Sequence, residues 1–224
     1  MCGGVYPSFC IERSQRVRTL TPEPTPHSED PRFTVIHAGF HGDTAVARDG
    51  LHHIDALVRV SALRALARLH DLHASDLNVA LRDDDHRVRR CAAELAATHG
   101  EVDLTSSLND DDVFVAEMAA WAIGERETPS DNDVTALINA VMHHGEPLVR
   151  EAATAALGSL GDPRGLPAIL HACNDKPAVR RRAVLALAPF EGPEVDAALS
   201  KATSDRDWQV RQNAEDMLNP RGYS

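Results

Sequence analysis

The sequence predicts an all-α fold, an α–α superhelix (solenoid) of about six helical-hairpin repeats. Three observations predict it. First, Val-Arg recurs as Val58-Arg59, Val88-Arg89, Val149-Arg150, Val179-Arg180 and Val210-Arg211, with a sixth copy, Val115-Ala116, that keeps only the valine. Second, the valines are 30, 27, 34, 30 and 31 residues apart, the period of one small unit stacked repeatedly. Third, each copy follows an acidic residue and opens an alanine-rich run, with only 4% of the chain aromatic. A core of Ala, Leu and Val suits short helices that approach closely.

Residues 1–32 carry no helical periodicity, and Thr21–Pro26 is a proline-spaced linker, so a disordered tail is expected there. The repeat domain spans 33–219, and 220–224 form a short C-terminal tail. Six first helices are expected over Thr44–Leu51, Ala74–Leu81, Val102–Leu108, Asp133–Met142, Leu166–Cys173 and Val195–Ala202. The turns after them are acidic: Asp55, Asp84-Asp85, Asp111-Asp112, Glu146, Asp175 and Asp207. An acid there caps the free N–H groups of the following helix and complements its dipole. The second helices begin at or just before each valine. Four residues beyond it stand Ala62, Ala92, Ala119, Ala153, Ala183 and Ala214; eight beyond stand Leu66, Ala96, Ile123, Leu157, Leu187 and Leu218. Offsets 0, 4 and 8 share one helix face, so this stripe is the predicted core.

These residues resemble HEAT repeats, specifically the short type named after phycobilin lyases, whose pattern runs acid, a few residues, Val-Arg, then Ala-Ala-x-x-Leu-Gly. Glu146–Gly158 and Asp205–Ala214 match it best, and the resemblance covers about Phe33 to Pro220. It implies a superhelix whose second helices line a concave surface, with the arginine and the turn acid tying adjacent repeats as a ladder. Ala116 would break that ladder at the third repeat. His52-His53-Ile54 makes the first repeat atypical, as expected of a cap. The resemblance implies little about activity, because one scaffold serves unrelated tasks.

Enzymes do occur among such proteins. Deoxyhypusine hydroxylase builds its iron site from His-Glu dipeptides, yet none of the 12 histidines here is followed by glutamate. The alternative function to weigh is a metal-dependent oxidoreductase or a lyase-like accessory factor, with His37, His41, His52 and His53 as its candidate ligands. Against it stands a polar cap with surface histidines, since no Cys pair or His-Glu-x-x-His helix accompanies them. His143-His144 ends a first helix, where histidine suits the dipole. Cys91 and Cys173 read as packed side chains rather than nucleophiles, and no phosphate loop or nucleophile elbow occurs. No catalytic residue and no cofactor is therefore expected.

Offsets 2 and 6 form a second stripe that packing does not use: Val60/Arg64, Arg90/Glu94, Glu117/Trp121, Glu151/Ala155, Arg181/Leu185 and Gln212/Asp216. On the concave side it would meet a partner. The expected function is a non-enzymatic scaffold binding a protein or peptide there through Arg90, Glu94, Glu117, Trp121, Glu151, Arg181 and Leu185. Trp121 has two readings at this point, an interface anchor or a core side chain between the third and fourth repeats. Trp208 is expected to pack the C-terminal cap.

Net charge is -11. Residues 1–32 balance four acids with four bases, which leaves 30 acids against 19 bases on the repeats. That sign repels phosphate backbones and excludes a general nucleic-acid partner. No apolar run reaches membrane-spanning length, and the N-terminus lacks the order of a secretory signal. Four cysteines without a CxxC pair fit free thiols in a reducing compartment. A monomeric cytoplasmic protein is expected.

Overall fold

The computed structural model describes residues 30–219. The proline-spaced linker lies outside them, as do most of the expected N-terminal tail and all of residues 220–224. Among the described residues there are twelve α-helices and no strand: α1 (Pro31–His41), α2 (Thr44–Gly50), α3 (Ala56–Arg68), α4 (Ala74–Ala80), α5 (His86–Leu95), α6 (Val113–Gly124), α7 (Asp131–His143), α8 (Pro147–Leu160), α9 (Leu166–Ala172), α10 (Pro177–Ala186), α11 (Pro193–Ala202) and α12 (Trp208–Leu218).

The helices form two layers. The second helices pack on one another in sequence, α1 on α3, α3 on α5, α5 on α6, α6 on α8, α8 on α10 and α10 on α12. The first helices α2, α4, α7, α9 and α11 pack chiefly on the second helices and much less on each other. Closer contact along one layer curves the array towards it, so the second helices line the inner side. The packing stripe explains the closeness. At offsets 0, 4 and 8 every residue is at most 1% exposed, except Leu218 at 40%, in the last of the described repeats. Gly124 and Gly158 permit the tightest approach: a Cβ on Gly124 would stand 2.8 Å from the Ala156 Cα, and one on Gly158 2.7 Å from the Ala186 Cα.

Two elements depart from the sequence expectation. Helix α1 lies ahead of the six expected hairpins and begins the inner layer, with Asp30 capping it and Pro31 at its start. The expected first helix over Val102–Leu108 is absent, and only a 3-10 turn forms, at Ser106–Asn109. Asp103 explains this. Its Oδ1 accepts from the Thr105 amide (2.8 Å) and the Thr105 hydroxyl (2.7 Å), a local turn that competes with helix. Val102, Leu104 and Leu108 still fill the core, each at most 1% exposed. Their two-residue step from 102 to 104 is not helical spacing.

The ladder is present, and the structure corrects which acids form it. Arg59, Arg89, Arg150 and Arg180 each reach the next turn with a forked pair of bonds, to Asp83, Asp110, Asp175 and Asp205 respectively, at 2.6–2.9 Å. Each also donates Nη1 to a carbonyl of its own turn, as does Arg211 to Asp205. The ladder acids keep their charge below the usual carboxylate range. At Asp110, Asp175 and Asp205 the arginine bond is the largest cause; at Asp83 burial is the largest and opposes ionisation, but the Arg59 bond, the Asp85 amide and the Arg59 charge together outweigh it.

Of the acids expected as caps, Asp55, Asp85, Asp112 and Asp207 do accept a first-turn amide. Glu146 makes no side-chain cap, and Asp175 is a rung rather than a cap. Helices α8 and α10 instead start with proline, whose missing N–H needs no partner.

At the third repeat Ala116 leaves no arginine, and the following turn carries no ladder acid either. His144 stands there, its Nδ1 accepting the Glu146 amide at 3.1 Å, as Asp83 Oδ1 accepts the Asp85 amide at 2.9 Å. His53 takes the same place in the turn after α2, where the preceding inner helix α1 supplies no ladder arginine, and accepts the Asp55 amide at 3.0 Å. Histidine thus preserves the turn where no guanidinium arrives to be neutralised. The missing rung has a substitute in Arg126, buried with Asp133 (2.8 Å), which also donates Nη2 to the Val102 carbonyl. That bond ties the non-helical segment of the third repeat to α7 of the fourth.

Candidate functional site

Where the ladder is broken, the inner layer opens into a groove of about 520 Å³. Its walls are α5, with Arg90 and Glu94, and α6, with Glu117, Met118, Trp121 and Gly124. Glu125, just past α6, and Arg182 on α10 close the ends, and α8 provides the floor through Leu148, Glu151, Ala152, Ala155, Ala156 and Ser159. Small residues at the α6–α8 crossing keep the floor shallow and apolar. Trp121 is 44% exposed, so its ring stands in the groove rather than in the core.

Five of the seven residues expected on the binding stripe line this one groove: Arg90, Glu94, Glu117, Trp121 and Glu151. Arg181 and Leu185 do not. Arg181 turns to Asp207 at 3.4 Å and Leu185 is exposed beyond the groove. Arg182, one residue on, takes the expected place and meets Glu151 at 3.7 Å. Sequence reasoning missed Arg182, Met118, Glu125 and Ser159. The signal for Glu125 and Ser159 was present, since the 2/6 stripe continues to offset 10 by one more helical turn. Offset 3 shares that face, which accounts for Met118, Ala152 and Arg182.

The charged groups are unevenly satisfied. Glu94 pairs with Arg64 of α3 at 3.0 Å, and the Arg90 guanidinium lies 5.8 Å from the Phe114 ring centroid. Glu117 and Glu125 make no hydrogen bond or ion pair among the described residues. Beside the groove, burial pushes the Cys91 thiol up despite the opposing Arg64 guanidinium, so it is a neutral packed side chain. Burial likewise pushes Cys173 up to about 11.

The histidines proposed as alternative metal ligands are arranged otherwise. His37 and His41 stack ring on ring along α1, centroids 3.7 Å apart, with His41 Nδ1 bonded to the His37 carbonyl. His52 and His53 lie in the turn after α2, where His53 serves the Asp55 amide. Among the described residues no three His, Cys, Asp or Glu side chains are grouped to hold a metal. Trp208 also differs from expectation. It is 65% exposed at the start of α12 and packs no cap. No helix among the described residues is long and apolar enough to cross a membrane.

Two layers of antiparallel helices tied by an arginine ladder define an α-solenoid of the HEAT and armadillo kind. Residues 134–219, the last three repeats, match the family model for HEAT repeats. No curated protein matches the sequence. Among solved structures, the chain is similar to YibA of Escherichia coli (16% identity, 84% of this chain and 74% of that one, TM-score 0.59). It is also similar to the complex of CpcE and CpcF of phycocyanin lyase from Nostoc sp. PCC7120 (23% identity, 78% and 75%, TM-score 0.55). A third neighbour is a designed armadillo repeat protein in complex with a (KR)4 peptide (16% identity, 85% and 98%, TM-score 0.53). At these identities the likeness is one of fold.

Proposed function

We propose that this chain is a non-enzymatic interaction scaffold that holds a protein segment or peptide in the groove across α5, α6, α8 and α10. The observation that carries the reading is the exposed Trp121 ring standing over an apolar floor, beside Glu117 and Glu125, which make no ion pair among the described residues. Exposed tryptophan in a groove is a typical binding hot spot, because a large apolar area leaves water at little entropic cost. Some neighbours in fold are themselves found with partners: CpcE with CpcF, and a designed armadillo repeat protein with its peptide.

The test is selection of a displayed peptide library on the wild-type chain, followed by measurement of the enriched peptides on variants. Trp121→Ala is expected to weaken binding about thirtyfold, the effect of losing a hot spot of about 2 kcal/mol. Ala155→Gln, which fills the floor, should act in the same direction. Arg181→Glu lies outside the groove and should change binding little. Enriched peptides indifferent to both groove substitutions would remove the groove as the binding site.

A further inference from the structure

Glu117 and Trp121 on α6 and Glu125 just past its end follow at four-residue spacing, so the three side chains share one face, an indole with one glutamate a helical turn to either side. The other acids of the groove are already engaged, Glu94 with Arg64 and Glu151 with Arg182. Glu117 and Glu125 are not, among the described residues, and the single remaining cation, Arg90, sits by the Phe114 ring. Resting on the groove reading above, we propose that the occupant is a peptide segment presenting an arginine, whose guanidinium stacks on Trp121 between Glu117 and Glu125.

Charge complementarity selects a cation. The groove has an unneutralised pair of carboxylates in a chain of net charge -11, and an acidic segment would meet repulsion at every approach. The indole selects the kind of cation. A guanidinium is planar and weakly hydrated, so it can lie face to face on the ring while its edge N–H groups donate sideways to the two carboxylates. An ammonium offers no plane to stack. The apolar floor of Ala152, Ala155 and Ala156 accepts the aliphatic stem of the incoming side chain. Electrostatic attraction of this type steers association and weakens with salt.

The experiment uses four blocked octapeptides of alanine that carry arginine, citrulline, lysine or glutamate at the third and sixth positions. Binding is read from Trp121 emission in a Trp208→Phe background. The arginine peptide should bind at least tenfold more tightly than its citrulline isostere at low salt, and the difference should shrink at 0.5 M salt. Lysine should fall between them. Glu117→Gln with Glu125→Gln should erase the preference for arginine over citrulline without shifting the thermal melting curve, since neither carboxylate is a structural partner. Equal binding of the citrulline or glutamate peptide overturns the arginine assignment while leaving the groove as a docking site. Silence from all four peptides also overturns it, and the library selection on Trp121 and Ala155 variants then decides the groove reading separately.

Discussion

The ladder rung between Arg89 and Asp110 offers the sharpest test of how the array is held together. Arg89 donates Nε and Nη2 to the Asp110 carboxylate at 2.7 and 2.8 Å and Nη1 to the Asp83 carbonyl at 2.9 Å. The two side chains are 17% and 12% exposed, against 58% and 42% for the surface pair Arg64–Glu94. Removing one partner of a fully buried pair costs about 3–5 kcal/mol, and residual solvation here lowers that to about 2–3 kcal/mol for Arg89→Ala. Asp110 also accepts the Asp112 amide, so Asp110→Ala removes a turn bond besides the rung. A double-mutant cycle cancels such side effects and should leave a coupling of about 1.5–2 kcal/mol between Arg89 and Asp110. The same cycle on Arg64 and Glu94 should give less than about 1 kcal/mol. Urea unfolding followed by far-ultraviolet circular dichroism measures both. A coupling for Arg89–Asp110 no larger than that of the surface pair would refute the ladder as a structural tie.

Three further outcomes follow from the same geometry. The ladder acids have lowered folded-state pKa values, so their stabilisation is complete above the ordinary Asp value of about 3.9 and is lost as pH falls through the lowered values. The urea midpoint should therefore be flat from neutral pH to about pH 5 and fall below about pH 4, less steeply in Asp110→Asn; a midpoint that rises on acidification contradicts this. Gly158→Ala gains about 1 kcal/mol of helix propensity but drives a Cβ to 2.7 Å from the Ala186 Cα, and overpacking against backbone should make it destabilising by about 1–2 kcal/mol. With Cys2 and Cys10 replaced by serine, iodoacetamide at pH 8 should leave Cys91 and Cys173 unmodified until denaturant is added, because burial keeps both thiols protonated; rapid native-state alkylation followed by mass spectrometry would show otherwise.

The valine register made most of the fold legible. Once Val58 and its counterparts set the offsets, Ala62 and Leu66 and their equivalents fell on the buried face, with Leu218 in the last described repeat the one exception. What escaped were features that depend on contact between repeats rather than on period. Three of the four ladder acids sit two residues before the cap, Asp83 before Asp85, Asp110 before Asp112 and Asp205 before Asp207, and only the capping residue follows from local helix chemistry. His53 and His144 occupy the same place, but a histidine announces it only after the missing arginine has been traced across the repeat boundary. The third repeat lost its first helix to a two-residue Asp103–Thr105 turn that helical propensity does not weigh. On the binding face, the four-residue stripe found Trp121 and its neighbours but placed Arg181 where Arg182 belongs, since one residue of helix is a 100° rotation. Exposure of Trp121 could not be read from spacing at all. It depends on how far α6 and α8 approach, which Gly124 and Ala156 set.

The most direct test of the groove as the working surface is site-specific photo-crosslinking in cells that produce the protein. A photoreactive residue replaces Trp121 in one variant and Val79, 70% exposed on the outer helix α4, in another. A groove-bound partner predicts a discrete crosslinked product from position 121 that is missing from position 79 and is competed by the purified wild-type chain. Equal products from both positions, or a product from position 79 alone, would contradict it.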